Sequence, residues 1–294
     1  ARSPPDATMP ADLRHTLRAL ARARGFALAT ALTLALGLGA TTALFTAVRG
    51  ILLRPLPYPD AERLVALHEL SASGARLAVP EANFRDFQAE VRAFRAATRY
   101  QSGRSTVTGG AEAARVSTGV VSGDFFAVLG VQPAVGRAFA PEERQPGAAP
   151  TVVVGDAFWR RARGAARDLE RLALVLDGTP HRVVGVMPPG FAFPDGAELW
   201  TAAERDTPLP SRTAHNWQVV ARLRDGVPLA VARAQATALA RGLRERHGSD
   251  VTLVDAALTP LRDTLVGPAL RVLALLLAGA AVLLLVSAAN VGTM

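Results

Sequence analysis

Two stretches of this chain carry no charge. Residues 26–48 and 272–294 are each 23 positions of apolar, small or uncharged polar side chains. At 1.5 Å per residue a helix of that length reaches ~34 Å, enough to cross a hydrocarbon core of ~30 Å with some tilt. Both stretches therefore predict membrane-spanning helices. The first is longer than the apolar part of a leader peptide and runs into Arg49 and Arg54 without a small-residue cleavage site, so it predicts an anchor that stays in place. The second runs to the last residue, which predicts that the sequence is the N-terminal part of a longer protein. Ahead of the first stretch, Leu13, Leu17 and Leu20 interleave with Arg14, Arg18 and Arg22 at helical spacing. An amphipathic helix on the inner membrane surface is expected over 12–24. The resulting division is a cytoplasmic segment at 1–24, a transmembrane helix at 25–50, an extracytoplasmic domain at 51–267 and a second transmembrane helix at 268–294.

Between the apolar stretches the pattern changes. Pro55, Pro57 and Pro59 alternate, which excludes helix and predicts an extended exit from the first span. Beyond them, strands are expected at 63–69, 105–108, 115–122, 151–154, 217–223 and 251–257. Helices are expected at 81–94, 123–129, 156–163 and 228–246, the first with Phe84, Phe87, Val91 and Phe94 on one face. Strands at 172–176 and 182–186 flank Asp177-Gly178, the strongest hairpin signal in the chain. Pro/Gly-rich stretches at 141–150 and 187–196 read as loops, Gly109-Gly110 as a turn, and the acids Glu142, Glu143, Asp195 and Glu198 as solvated. No repeat is visible. The predicted class is an α+β extracytoplasmic domain of small mixed sheets backed by helices, in two subdomains, flanked by two transmembrane helices.

Composition narrows the chemistry. There is no Cys, which removes disulfide scaffolds, thiol enzymes and Cys-based zinc sites. All 33 basic residues are Arg, so the Lys of a phosphate-cradling G-x-x-x-x-G-K-[ST] loop is missing. The five His show no metal-ligand spacing and there is no G-x-S-x-G elbow, so no catalytic residue, cofactor or metal is expected. The net charge of +8 is uneven: Arg2, Arg14, Arg18, Arg22 and Arg24 outweigh Asp6 and Asp12 ahead of the first span. By the positive-inside rule these arginines are cytoplasmic and 51–267 lies outside. No stripe of Arg and aromatics suggests nucleic acid. Small residues at four-residue steps, Ala31, Ala35, Gly39 and Ala43, predict a ridge for close helix packing. Ser287 and Asn290, polar in an apolar run, are expected to bond a neighbouring helix.

Several segments carry a family resemblance. LGLGATTALFTAVRGILLRPLPYPD at 36–60, ERLVALHE at 62–69 and VSGDFFAVLGVQPAVGRAF at 121–139 are joined by PGAAPTVVVGDAFWRR at 146–161, LDGTPHRVVGVMPPGFAFP at 176–194 and LTPLRDTLVG at 258–267. Over 12–294 the chain resembles MacB/FtsX-type permeases of ABC transporters, most of all the long duplicated acidobacterial orphan permeases. It departs at VSAANVGTM, 286–294, where the family often has a Cys before Ala-Asn. The resemblance implies a multi-pass bacterial inner-membrane permease subunit, N-terminus inside, with a MacB-like periplasmic core domain. It also implies a separate cytoplasmic ATPase that binds the ATP, pairing of permease halves as a dimer or pseudo-dimer, and room for a periplasmic adaptor. Hydrolysis would then move the outer domain for export or extraction of a substrate. Pro55, Pro57 and Pro59 are the expected stiff link. Two other readings stay open: a regulator of periplasmic partners that transports nothing, and a two-span ligand sensor.

Overall fold

The computed structural model describes residues 24–52, 56–108, 113–163, 173–205 and 211–292. The expected 12–24 helix, Arg54, Pro55, the Gly109-Gly110 turn and Leu172 lie outside the described residues. The chain divides into two compact units. One holds Leu56–Thr264; the other combines helix α1 (Arg24–Leu52) with the part of the last helix from Leu265 onward.

Eleven strands of the Leu56–Thr264 unit form one sheet. In chain order they are β1 (Leu64–Leu70), β2 (Arg76–Leu77), β3 (Phe94–Thr108), β4 (Ala114–Val121), β5 (Val135–Gly136), β6 (Thr151–Val154), β7 (Ala173–Leu176), β8 (Thr179–Val186), β9 (Leu199–Ala202), β10 (Gln218–Leu223) and β11 (Asp255–Pro260). Their spatial order is β11-β1-β10-β3-β4-β9-β6-β8-β5, with β2 on β1 and β7 between β3 and β8. The β4–β9 and β6–β8 pairs are parallel and the other pairs antiparallel. The unit is thus mixed α/β, but the expected small sheets are corrected to a single one. The reason is β3, whose 15 residues pair with β10 along the first half and with β4 and β7 along the second. Its middle, Gln101–Arg104, is polar, so the alternation that reveals a strand is lost there.

Apolar clusters cover the sheet. Helices α2 (Glu81–Glu90) and α5 (Leu229–His247) bury Phe84, Phe87, Ala236 and Leu243 against Val65, Leu67, Val219 and Leu258. Helix α3 (Phe125–Leu129) is a single short turn, and α4 (Asp156–Arg163) packs Phe158 and Trp159 with Val152, Val154, Leu174 and Val183. Burying one such side chain is worth roughly 1.5–3 kcal/mol. Helix α2 stops four residues short of the expected end. Val91 is extended, and the side chain of Gln235 accepts from the Ala93 N–H, so Phe94 starts β3 and still reaches the same core. The last strand also shifts: Val251 and Leu253 are buried, but ladder pairing to β1 begins at Asp255. The Asp177-Gly178 turn is as expected, with φ of 49° and 82° between directly paired Leu176 and Thr179.

The loop acids need one correction. Glu142 and Asp195 are exposed, but Glu143 is buried. Arg137 donates two hydrogen bonds to its carboxylate, at 2.7 and 2.8 Å, and Arg182 a third at 3.0 Å. Burial raises the Glu143 pKa, but these donors and the Ala140 N–H outweigh that and hold it below the usual carboxylate range. Among the described residues no group of three or more His, Asp and Glu is placed to hold a metal ion.

In the other unit, α1 and α6 (Leu261–Gly292) expose large apolar side chains, Leu36 at 73% and Leu275 at 75%. Among the described residues no single helix is long and apolar enough to cross a membrane. The pair Leu261–Gly267 and Val272–Val286, bent by 48°, passes that test together by length and composition.

Candidate coupling segment

The chain enters the Leu56–Thr264 unit through Leu56-Pro57-Tyr58-Pro59-Asp60, and this short segment is held at each residue from Tyr58 on. Tyr58 is half-buried, its ring set edge-on to Phe191 and Phe193 with centroids 6.4 Å away in both cases. These two rings belong to a larger aromatic group. Phe193 stacks on Phe125 at 5.8 Å and meets Tyr100 at 5.0 Å, while Phe191 meets Phe126 at 5.9 Å and Trp200 at 5.2 Å. Trp200 donates its indole N–H to the Phe193 carbonyl at 2.8 Å, which fixes the loop before the cis Phe193–Pro194 peptide. Each edge-on pair contributes roughly 0.5–1.5 kcal/mol beyond area burial. Burial pushes the Tyr58 hydroxyl up to about 12.

Two arginines tie down the rest. Arg222, on β10, donates through Nη1 to the carbonyls of Pro59 (3.0 Å) and Asp60 (3.3 Å), and through Nε to Val128 (2.8 Å). Asp60 takes the left-handed conformation, φ 46°, and turns the chain into a 3-10 turn at Ala61–Arg63. Arg63 ion-pairs with Asp60 and Asp225, and its guanidinium donates twice to the Leu223 carbonyl at 3.1 and 2.9 Å. Strand β1 starts at the next residue.

The way out lies beside the way in. β1 pairs with β11 so that Val65 faces Pro260, and Leu261, the first residue of α6, is fully buried. Arg233 of α5 donates to the Leu258 carbonyl at 2.8 Å. Both connections of the unit therefore attach to neighbouring strands at the same end of the ladder.

Of the residues singled out from the sequence, Pro57 and Pro59 are exposed members of this segment, and Pro55 lies outside the described residues. Ala35, Gly39 and Ala43 form an exposed strip of α1. Ser287 and Asn290 fall in α6 with side chains outside the described residues, as is that of Ala31 in α1. The close approach between these helices is at Gly37, buried where a Cβ would lie 2.6 Å from Leu284 Cδ2. Sequence reasoning missed Tyr58, Arg63 and Arg222. The Tyr between alternate prolines was a visible signal, since such an aromatic needs a surface to rest on; nothing in the spacing pointed to Arg222.

The MacB-like periplasmic core domain profile matches residues 27–239, from α1 into α5. No curated protein matches the chain. Among solved structures, the periplasmic region of MacB from Actinobacillus actinomycetemcomitans aligns over 70% of this chain and 91% of its own, at 13% identity and TM-score 0.51. The extracellular domain of the noncanonic ABC-type transporter YknZ from Gram-positive bacteria aligns over 67% of this chain and 99% of its own, again at 13% and 0.51. At that identity the likeness is one of fold. The profile match covers more than half of the chain, and the chain belongs to the MacB-like periplasmic core domain family.

Proposed function

We propose that the chain is a permease subunit of an ABC-type system, in which a separate cytoplasmic ATPase drives movement of the Leu56–Thr264 unit outside the membrane. Family membership supports the class. Support for the two spans comes from the uncharged stretches 26–48 and 272–294 and from the exposed leucines of α1 and α6, which lipid would cover. Residues 1–294 hold no Lys for a phosphate loop of the usual kind, which supports an ATP site outside them. Permease halves pair as a dimer or pseudo-dimer in this reading, and a periplasmic adaptor is a further partner.

The observation that carries the mechanism is the seating of Tyr58, Pro59 and Asp60 on the domain. A displacement of the first span is useful only if it is not absorbed by a slack joint. Prolines limit the backbone freedom of the segment, and the aromatic and arginine contacts fix its end. The direct test is to purify the full-length protein with whatever ATPase accompanies it and follow nucleotide-dependent movement of the outer unit by spin-label distances. Tyr58→Ala, and Pro57→Gly with Pro59→Gly, are expected to leave ATP hydrolysis running while shrinking that movement. Recovery of no ATPase, or movement equal to wild type in these variants, would sink the reading.

A further inference from the structure

Strand β3 is open along part of one side. β4 pairs with it from Tyr100 to Val107. On the other side β10 pairs with Phe94–Tyr100 and β7 with Val107 and Thr108, so among the described residues no strand lies beside 101–106. The chain ahead of β10 leaves that side: Trp217 exchanges backbone bonds with Val79. Asn216, which would face Ser102 if the register ran on, donates its N–H to the Ala214 carbonyl instead.

Two sets of bonds show which backbone groups face the gap. The Thr106 N–H donates to Asp177 Oδ1 and its carbonyl accepts from the Asp177 N–H, so Thr106 is directed away from β4. The Arg99 carbonyl accepts from the Ser122 N–H, just past the end of β4, so Arg99 is directed the opposite way. By strand alternation the N–H and C=O of Ser102 and Arg104 point into the gap. Ser102, Gly103 and Arg104 are exposed. Residues 101–105 span roughly 17 Å at ~3.4 Å per residue. Such an unpaired edge is a template for another chain.

Shape and charge decide which chain fits. The gap is a notch, bounded by Gln218 at one end and the Asp177 turn at the other. Two copies of this unit would hold their recessed edges apart, whereas one extended peptide can enter. Arg104 has no ion pair among the described residues, and Arg115 lies on the same face, because Arg104 pairs with Ser117 and Thr106 with Arg115. The Thr106 N–H, the Ser105 hydroxyl and Arg115 together hold the Asp177 carboxyl below its usual range. Asp195 accepts from the Ser102 hydroxyl. The edge therefore presents a cation at Arg104 and an anion beside Ser102, two residues apart. Opposite charges directly across a strand pair attract. We propose that this notch takes an extended segment of a partner protein as an added antiparallel strand, with an acid facing Arg104 and, two residues later, a base facing Ser102 and Asp195. The antiparallel sense follows the other three pairings of β3. The inference goes beyond the permease reading, needs no ATPase, and can fail while that reading stands.

The test uses two fluorescein-labelled heptapeptides of one composition, Thr-Val-Glu-Thr-Lys-Val-Thr and Thr-Val-Lys-Thr-Glu-Val-Thr, titrated with the full-length protein in a maltoside detergent and read by anisotropy. The Glu-first peptide is expected to bind roughly fivefold more tightly. Methylating its Glu and Lys amide nitrogens, which would face β3, should weaken binding about tenfold, while methylating the central Thr amide should not. Arg104→Glu, at an exposed position, and Asp195→Asn, which keeps a residue tolerant of the left-handed conformation, should each reduce the preference for the Glu-first peptide. No binding of that peptide, equal binding of the two sequences, indifference to Glu and Lys amide methylation, or an unchanged preference in both variants would overturn the assignment. So would self-association of the protein that the peptide competes away, which would make a second copy the occupant.

Discussion

Arg99 carries its charge into the interior because Glu81 goes with it. The two are 3% and 6% exposed at their side chains, with Nε 2.6 Å from Oε2 and Nη2 donating to Oε1 at 3.0 Å. The guanidinium also lies 4.2 Å over the Trp217 ring. Removing one partner leaves an uncompensated buried charge, so Glu81→Gln is expected to cost roughly 3–5 kcal/mol. A urea unfolding midpoint checks it, and a Glu81→Gln/Arg99→Met double variant should recover much of the loss. Glu69, also fully buried, behaves in the opposite way because no guanidinium bonds it: its ion-pair neighbour is the His215 ring, with Nδ1 3.5 Å from Oε2 and charged only when protonated. Burial pushes its carboxyl from 4.5 to about 7, against the hydrogen bond from Asn83 and the charge of Arg212. The folded pKa exceeds the unfolded one, so this contribution is complete below about pH 4.5 and is lost as pH rises through about 7, a change of roughly 3 kcal/mol. Unfolding free energies measured across that window should slope downward in the wild type and less so in Glu69→Gln; parallel curves would contradict the assignment.

At the scale of single elements, the Asp177-Gly178 turn joins β7 to β8 and docks on β3. The Thr106 N–H donates to Asp177 Oδ1 at 2.8 Å, and the Asp177 N–H donates to the Thr106 carbonyl at 3.0 Å. Gly178→Val forces a branched side chain into φ 82° and should destabilise the unit by roughly 1–2 kcal/mol, read from the same urea curves. This turn was legible because its signal is local: two residues flanked by alternating apolar positions. Helix α4 and strand β6 were legible for the same reason. The first half of β3 was not. Its apolar residues continue the helical spacing of α2, and the change of direction shows only in the turn at Val91–Phe94. That turn is held by the side chain of Gln235 on α5, 142 residues further along the chain. The coupling segment was half legible. Its prolines announce an extended, stiff run, but what they rest on depends on Phe191, Phe193 and Arg222, which are brought near by the order of the sheet.

Across the whole molecule, the sequence marks where a folded unit begins and ends, because two uncharged stretches enclose a region of mixed pattern. The family follows from motifs spread over most of the length. What it hides is that entry and exit lie on paired strands, β1 and β11, since strand register is set by contacts between residues as far apart as Val65 and Pro260. In the proposed reading this pairing means that both spans act on one end of the domain. The topology on which this rests is open to a single measurement, in a background to which residues 1–294 contribute no Cys and from which any Cys elsewhere is removed. Ala72→Cys places a thiol in the exposed turn between β1 and β2, and Thr8→Cys places one ahead of α1. In intact spheroplasts expressing the full-length protein, a membrane-impermeant maleimide should label Ala72→Cys fully and Thr8→Cys only after permeabilisation. Labelling of Ala72→Cys that requires permeabilisation would contradict an outer domain and, with it, the permease reading.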